Sequence, residues 1–195
     1  MHIAIEGVDG VGKTTVCKML AEKLNFRFIE KPLHYLFDSD DDFENYIRIR
    51  NYVNVQENKI FTSWFYGLGN IFLYHKFKDE NIITDRHFVS NYYWSGDKSS
   101  KPVFDCMINL IGAPNYTFLL YAKEETVKKR LENRNRNDPD VRKTPLIPQA
   151  YVKMENFLIE YKMKYKVIDT TDLDAKKVVD IILNYLYEDG TLEMK

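Results

Sequence analysis

The feature that most constrains the fold is a glycine-rich segment that follows a short apolar run, Ile3-Ala-Ile-Glu-Gly-Val-Asp-Gly-Val-Gly-Lys-Thr-Thr15. Gly7, four residues, and then Gly12-Lys13-Thr14 have the spacing of a P-loop, a strand–turn–helix unit whose backbone N–H groups hold the phosphates of a nucleotide. Glycine tolerates backbone angles that a Cβ would penalise, so successive amides can turn inward around an anion. The segment therefore predicts a nucleotide-phosphate site at the start of an α/β fold.

The side chains of this loop suit the binding of ATP with magnesium. Lys13 supplies a mobile positive charge, and the hydroxyl of Thr14 suits Mg²⁺. Asp85, at the end of a later predicted strand, is expected to approach the same ion; a structural hydrogen bond from Asp85 to the loop is the alternative. The loop residues predicted to contact ATP are Gly7, Val8, Asp9, Gly10, Val11, Gly12, Lys13, Thr14 and Thr15.

Five short apolar runs predict the strands of a single sheet. They cover residues 3–6, 26–30, 81–86, 116–121 and 165–168. Helical patterns separate them, which predicts a parallel sheet with helices on both faces. Glu30 and the pair Asp85-Arg86 end their strands, so we expect them beside the P-loop at the carboxyl edge of the sheet, where such folds bind ligands.

The most polar stretch of the chain, residues 133–143, has almost no apolar anchor. It fits either a solvated charged loop or, next to a P-loop, a mobile lid over the phosphates. Arg130 and Arg134 lie one helical turn apart, and Arg136 follows. We expect the lid, about residues 133–145, to bring these arginines to the γ-phosphate when it closes and excludes water.

Composition excludes several classes of protein. The 195 residues are 45% hydrophobic with a formal net charge of −1, which fits one domain and argues against a nucleic-acid coat. Cys17 and Cys106 lack metal or redox spacing. We find no membrane-length apolar run and no basic-then-apolar leader, so we expect a cytoplasmic protein.

Two further segments have structural interpretations. The acidic run 38–42 is expected to cap a helix that starts near Phe43, because acidic side chains are favoured at helix N-termini. A calcium loop is the alternative, but the run lacks the glycine and the closing glutamate of such a loop. The aromatic residues of a long predicted helix, 57–77, are expected to lie mostly in the core, with one or two lining a base pocket.

Taken together, the P-loop, Ile82-Ile-Thr-Asp-Arg-His87 with Ser90, the run 114–120 and the pair Arg130/Arg134 resemble thymidylate kinases, whose fold deoxynucleoside kinases share. The resemblance implies a P-loop NTPase three-layer sandwich formed by one kinase domain, residues 1–195. It also implies transfer of the γ-phosphate of ATP to a deoxynucleotide, most simply dTMP to dTDP, with Mg²⁺. Dimerisation through the aromatic helices is expected from the resemblance alone.

Positions in the family pattern suggest how the acceptor is held. Asp9 would face the sugar hydroxyl, Arg86 with Arg48 would hold the acceptor phosphate, and Phe61 would stack on the base. The acceptor-binding set is Asp9, Glu30, Arg48, Phe61, Arg86, Ser90 and Tyr93, and the catalytic set is Lys13, Glu30, Arg86 and Arg134.

Three departures from the family pattern leave the base open. The chain has Glu30-Lys-Pro-Leu33 where thymidylate kinases usually have Glu-Pro-Gly. It also has Trp64 or Phe65 where a base-reading arginine is expected, and 93–95 read Tyr-Trp-Ser in place of Ala-Tyr-Gln.

A nucleoside kinase and a nucleotide-binding protein without turnover remain open as alternative functions. A monophosphate acceptor, with a second pKa of about 6, needs cations, whereas a nucleoside 5′-hydroxyl needs a carboxylate such as Glu30 to take its proton. Asp9 and the Asp-Arg-His form of the third-strand motif favour the monophosphate. A P-loop protein that binds nucleotide without turnover is the remaining alternative, although no guanine-reading Asn-Lys-x-Asp element of a GTPase switch is present.

Overall fold

A five-stranded sheet, all parallel, forms the centre of the part of the chain that the structure describes. The computed structural model describes residues 1–38 and 42–192. The strands, in the spatial order β2-β3-β1-β4-β5, are β1 His2–Glu6, β2 Arg27–Glu30, β3 Ile82–Asp85, β4 Tyr116–Tyr121 and β5 Tyr165–Asp169. This confirms the predicted parallel sheet, with each strand end within one residue of its expected position.

Helices cover the sheet on both faces. The helices are α1 Lys13–Leu24, α2 His34–Phe37, α3 Glu44–Asn54, α4 Lys59–Phe77, α5 Phe88–Ser95, α6 Lys101–Ile111, α7 Glu124–Arg134, α8 Ile147–Glu160 and α9 Ala175–Glu188. Helix α1 packs against α9, while α4, α5, α6 and α8 form a second group. Consecutive residues of β1 from Ile3 to Glu6 are all fully buried, as a central strand between two layers requires.

Register places the predicted functional strand ends side by side. Asp85 at the end of β3 lies opposite both Ile5 of β1 and Glu30 of β2. The P-loop follows β1 after Glu6 and leads into α1, which begins at Lys13 as predicted. The fold therefore brings Glu30, Asp85 and the loop to one edge of the sheet.

The acidic run caps helix α3, as far as it is described. The N–H groups of Asn45 and Tyr46 donate to the Asp38 carboxylate at 2.8 and 2.9 Å, and those of Phe43 and Glu44 donate to Asp42. Residues 39–41 lie outside the described residues. Elsewhere along the described chain, no cluster of three His, Cys, Asp or Glu side chains is placed to hold a metal.

The prediction that most aromatic residues of α4 lie in the core was wrong. Phe61, Trp64 and Tyr74 are exposed, and much of the buried face consists of small or polar side chains such as Asn70. The close approach of α6 explains part of this face, because a Cβ added at Gly67 would lie 2.3 Å from the sulfur of Met107. The predicted dimer contact through this helix remains a prediction.

The polar stretch predicted as a lid is more regular than its composition suggested. Helix α7 continues to Arg134, and a 3-10 helix, Pro139–Leu146, leads directly into α8. The side chain of Asp138 caps this 3-10 helix by accepting the N–H of Asp140. Movement of the segment remains a prediction. None of the described helices is both long enough and apolar enough to cross a bilayer.

Candidate active site

A cleft of about 1150 Å³ opens at the carboxyl edge of β1, β2 and β3. The P-loop, Glu30, Asp85 and Arg86 all contribute to its lining, together with α4, α5 and the end of α7. The convergence expected from the strand ends is therefore present in the structure. A cleft of this size has room for two nucleotide-sized ligands.

The P-loop has the backbone shape of an anion cradle. Gly7 has φ 138°, and a Cβ there would lie 2.5 Å from the carbonyl oxygen of Leu120. Gly10 has φ 84° and packs so closely on α7 that a Cβ would lie 2.9 Å from Cγ of Leu131. Glycine is required at both positions, because other residues meet a steric clash as well as unfavourable backbone angles.

The side chain of Lys13 folds back into the P-loop. Its side chain is buried, and Nζ donates to the carbonyl oxygen of Val8 at 2.8 Å. Burial lowers the pKa of Lys13, and the neighbouring Arg86 lowers it further. A phosphate in the cradle would supply the negative charge that this buried ammonium needs.

Thr14 and Asp85 form an oxygen pair suited to magnesium. The hydroxyl of Thr14 donates to Oδ2 of Asp85 at 2.5 Å. Magnesium binds oxygen ligands and is commonly held by one or two protein groups together with water and substrate phosphates. The two side chains therefore fit Mg²⁺ at the mouth of the P-loop. Their hydrogen bond also shows the alternative interaction expected for Asp85, a structural contact with the P-loop.

Arg86 adopts an unusual backbone conformation and is held by three contacts. Its φ is 78°, a left-handed value that costs energy for a residue with a Cβ. Nη2 donates to Asp9 at 2.5 Å, while Nη1 donates to Ser90 at 3.1 Å and to the carbonyl oxygen of Gly7 at 3.3 Å. Burial alone would raise the pKa of Asp9, but the charges of Arg86 and Lys13 outweigh it and hold this pKa at about 2.

A buried carboxylate that the sequence interpretation missed anchors this group. Glu6 is fully buried at the end of β1 and accepts the N–H groups of His87, Val89 and Ser90 at 2.9 to 3.2 Å, as well as the hydroxyl of Ser90. Burial raises the pKa of Glu6, although these hydrogen bonds and Arg86 oppose the shift. The available clue was an acidic residue inside an otherwise apolar strand.

Several residues that were predicted to bind the acceptor do not line the cleft. Arg48 is exposed and does not line the cleft, whereas Arg50 does. The two positions differ by about 200° around helix α3, so they cannot face the same ligand. Arg50 also has a buried Nε with no hydrogen-bond partner among the described residues.

Phe61 is 44% exposed and lies outside the cleft lining. Thr62, Tyr66 and Asn70 form the lining face of α4, at the i, i+4, i+8 spacing of one helical side. Tyr93 lies instead at a small gap of about 10 Å³ between the P-loop and the predicted lid.

Glu30 lies in the cleft lining with its carboxylate partly exposed. Its Oε1 is 3.5 Å from Nζ of Lys31, which also lines the cleft. The carboxylate is thus open to the space in which an acceptor would bind. Among the described contacts of its side chain, Lys31 is the single charged partner.

The three predicted lid arginines have different surroundings. Arg130 donates to the carbonyl oxygens of Thr170, Leu173 and Val11, so it ties α7 to neighbouring loops. Arg134 lines the cleft and pairs with Asp138. Arg136 is exposed and is not part of the cleft lining.

Comparisons with known proteins agree with this geometry. A putative adenylate kinase of Methanocaldococcus jannaschii is 27% identical over 94% of this chain and 84% of its own length. Deoxyguanosine kinase of Bacillus subtilis is 25% identical over 87% of this chain and 81% of its own. The solved structure of deoxyadenosine kinase from M. mycoides, with products dCMP and a flexible dCDP bound, has a TM-score of 0.68 at 20% identity and covers 96% of this chain and 100% of that one.

The fold of that solved structure agrees with the P-loop kinase architecture expected from the sequence. The family model for thymidylate kinase matches residues 5–182, which include the end of β1, the other four strands and every residue that lines the cleft. Of the segments that resembled this family, the P-loop, the end of β3 with Ser90, and the pair Arg130/Arg134 line the cleft, whereas the run 114–120 leads into and forms most of β4. This chain therefore belongs to the thymidylate kinase family of phosphotransferases.

Proposed function

We propose that this protein transfers the γ-phosphate of ATP to a deoxynucleoside monophosphate, with dTMP as the preferred acceptor. The observation that carries the proposal is the pair of guanidinium groups, Arg50 and Arg86, that line the cleft beyond the P-loop. A monophosphate dianion needs cations and hydrogen-bond donors, and it needs no base to become a nucleophile. Arg50 still has a buried N–H group to offer.

The donor half of the cleft would hold ATP. The P-loop amides and Lys13 would bind the β- and γ-phosphates, because transfer of a phosphoryl group depends mainly on alignment and on neutralisation of charge. Thr14 and Asp85 would hold Mg²⁺, which when bound neutralises charge on the phosphates. Arg86, fixed against Asp9 and Ser90, would orient the acceptor phosphate toward this group.

The acceptor half would hold the sugar and the base. Asp9 remains the residue proposed to face the sugar hydroxyl. Tyr66 and Trp94 line the cleft and offer aromatic surface for stacking, and the buried amide of Asn70 offers a hydrogen-bond group. These residues replace Phe61 as the proposed contacts of the base.

A second function is favoured by Glu30. This carboxylate faces the same cleft, where it could take the proton of a nucleoside 5′-hydroxyl. Two of the similar proteins are named as a deoxyguanosine kinase and a deoxyadenosine kinase. In that case Glu30 would be a general base, and Arg50 would lose its main ligand.

The test is a coupled assay of ADP release with Mg²⁺-ATP and a panel of acceptors. The panel contains dTMP, dUMP, dAMP and dGMP with the matching nucleosides. Turnover on dTMP above the others supports the proposal, and turnover on nucleosides alone replaces it with the second function. Silence on every acceptor contradicts both and leaves a nucleotide-binding protein.

Arg50→Met and Arg48→Met form a matched pair on one helix. Arg50→Met is expected to reduce kcat/KM for the monophosphate about 10- to 100-fold, since a charge-assisted contact to the acceptor is lost. Arg48→Met is expected to stay within about twofold of wild type, because its side chain lies outside the cleft. The opposite ranking would contradict the assignment of the acceptor phosphate to this side of α3.

A further inference from the structure

Three cations of α7 and the predicted lid line the cleft, and they are held very differently. Arg130 already donates to the carbonyl oxygens of Val11, Thr170 and Leu173. Arg134 donates from Nε and Nη2 to Oδ2 of Asp138, at 2.9 and 2.6 Å. The carboxylate of Asp138 is 5% exposed, and its other oxygen caps the 3-10 helix at Asp140. Removing Arg134 from this carboxylate would leave a buried charge without its partner. The Arg134 side chain is therefore needed to stabilise the folded lid and is not free to move to a substrate phosphate.

Lys143 is held by one hydrogen bond, to a carboxylate that is more exposed than that of Asp138. Its Nζ donates to Oδ1 of Asp140 at 2.7 Å, and the two side chains are 48% and 22% exposed. The same Nζ lies 4.7 Å from the ring centroid of Trp94 on α5. Exposed ion pairs and cation–π contacts of this kind contribute little, so a phosphate can replace them.

The position of Lys143 places it between the two halves of the cleft. Lys143 and Trp94 line the main cleft, and with Asp9 they also border the small gap between the P-loop and the lid. Burial would raise the pKa of Asp9, but the charges of Arg86, of Lys13 and, to a smaller extent, of Lys143 lower it. Its ammonium thus faces the junction of the donor loop and the acceptor wall.

We propose that Lys143, rather than the arginines that the sequence suggested, is the lid cation that binds the phosphoryl group in transfer. On substrate binding its ammonium leaves Asp140 and the Trp94 ring for the phosphate, while Arg134 stays with Asp138 and keeps the lid folded. Lys143 forms no covalent bond and transfers no proton; it neutralises charge on the phosphate. The assignment rests on the proposed kinase function and adds a substrate-binding residue to it.

The first test compares Lys143→Met, Lys143→Arg and Arg142→Met. Arg142 is exposed, lies next in the chain and is absent from the cleft lining, so it is the matched control. Lys143→Met is expected to lower kcat about 10- to 100-fold with a smaller change in KM, because the contact forms fully only in the closed complex. Lys143→Arg is expected to restore part of the rate, and Arg142→Met to stay within about twofold of wild type.

The second test uses Trp94 as a reporter of where Lys143 is. The chain contains two tryptophans, so Trp64→Phe leaves Trp94 as the single tryptophan, which can be excited selectively over the tyrosines. Adding the β,γ-imido analogue of ATP with Mg²⁺, and without an acceptor whose base could stack on Trp94, is expected to change Trp94 emission as the ammonium leaves the ring. When Lys143→Met is combined with Trp64→Phe, this change should disappear, while calorimetry still detects binding of the analogue.

Two results would overturn the proposal. One is a Lys143→Met enzyme with more than half of the wild-type kcat; the other is a Trp94 response that persists without Lys143. If wild type turns over none of the acceptors, the proposed function fails instead. The emission change with the imido analogue alone then still decides whether Lys143 moves to a nucleotide phosphate.

Discussion

Glu6→Gln tests whether one buried carboxylate fixes the start of helix α5. The four donors to Glu6 divide evenly: the N–H groups of His87 and Val89 point to Oε1, and the N–H and hydroxyl of Ser90 point to Oε2. Glutamine keeps one acceptor oxygen and puts an NH₂ group at the other place. In either orientation at least one backbone N–H then faces a donor instead of an acceptor.

The expected loss of stability follows from these contacts. Each hydrogen bond to a charged group contributes about 1.5–3 kcal/mol. The hydroxyl of Ser90 can rotate to accept, and the neutral amide of the variant buries no charge, so part of the loss is offset. We expect Glu6→Gln to lower the free energy of unfolding by about 2–4 kcal/mol, a fall in Tm of about 4–16 °C for a domain of this size.

Calorimetry and urea unfolding measure this loss, and Glu22→Gln is the control. Glu22 is exposed on α1 without an ion pair among the described residues, so its change is expected to stay within about 0.5 kcal/mol. A Glu6→Gln protein as stable as the Glu22→Gln protein would refute the reasoning. Because Ser90 also holds Arg86, kcat/KM should fall as well; unchanged kinetics in a destabilised variant would restrict Glu6 to a structural role.

Three further predictions concern charge and pH. Lys13→Met should lower kcat about 100- to 1000-fold with Tm preserved, because the side chain supplies charge to the phosphates; steady-state kinetics beside a thermal melt check this, and near-normal turnover contradicts it. Asp85→Asn should raise the Mg²⁺ concentration for half-maximal activity about 10-fold or more; an unchanged magnesium titration would remove Asp85 from the metal site. Burial lowers the pKa of His2 to about 3 and that of His87 well below its usual value. The unfolded chain therefore binds more protons, and stability is lost as pH falls below about 6.5, the ordinary pKa of histidine. Urea unfolding between pH 7 and 5 should show a shallower fall for His87→Gln than for the exposed control His75→Gln, and parallel curves would contradict the assignment.

The sequence predicted the sheet and the P-loop because both depend on local patterns. Apolar runs and the glycine spacing identify β1, the loop and the start of α1 almost to the residue. The rule that parallel strands share one carboxyl edge was enough to bring Glu30 and Asp85 to the loop. None of these inferences needs the rotation of a helix about its axis.

The acceptor side depends on such rotations, and there the sequence was a poorer guide. Arg48 and Arg50 are equally basic, and their packing decides which one meets the cleft. On α4, hydrophobicity favoured burial of most aromatic side chains, but the cleft and the neighbouring α6 select the face with Gly67 and Asn70. Partners distant in sequence, such as Glu6 with the N-terminus of α5, leave no periodic pattern to read.

The packing of Gly10 on α7 has a consequence for exchanging lids between relatives. Leu131 contacts the tip of the P-loop, and Arg130 bonds to Val11 and to the loop after β5, so α7 is part of the floor of the ATP site. A chimera in which the replaced segment begins at Glu124 would carry the α7 helix of a relative, which packs against that relative's P-loop. The substitution would therefore disturb the phosphate-binding loop of this chain. A chimera joined after Arg134, replacing residues 135–146, would change how the site closes while leaving the loop on its native support.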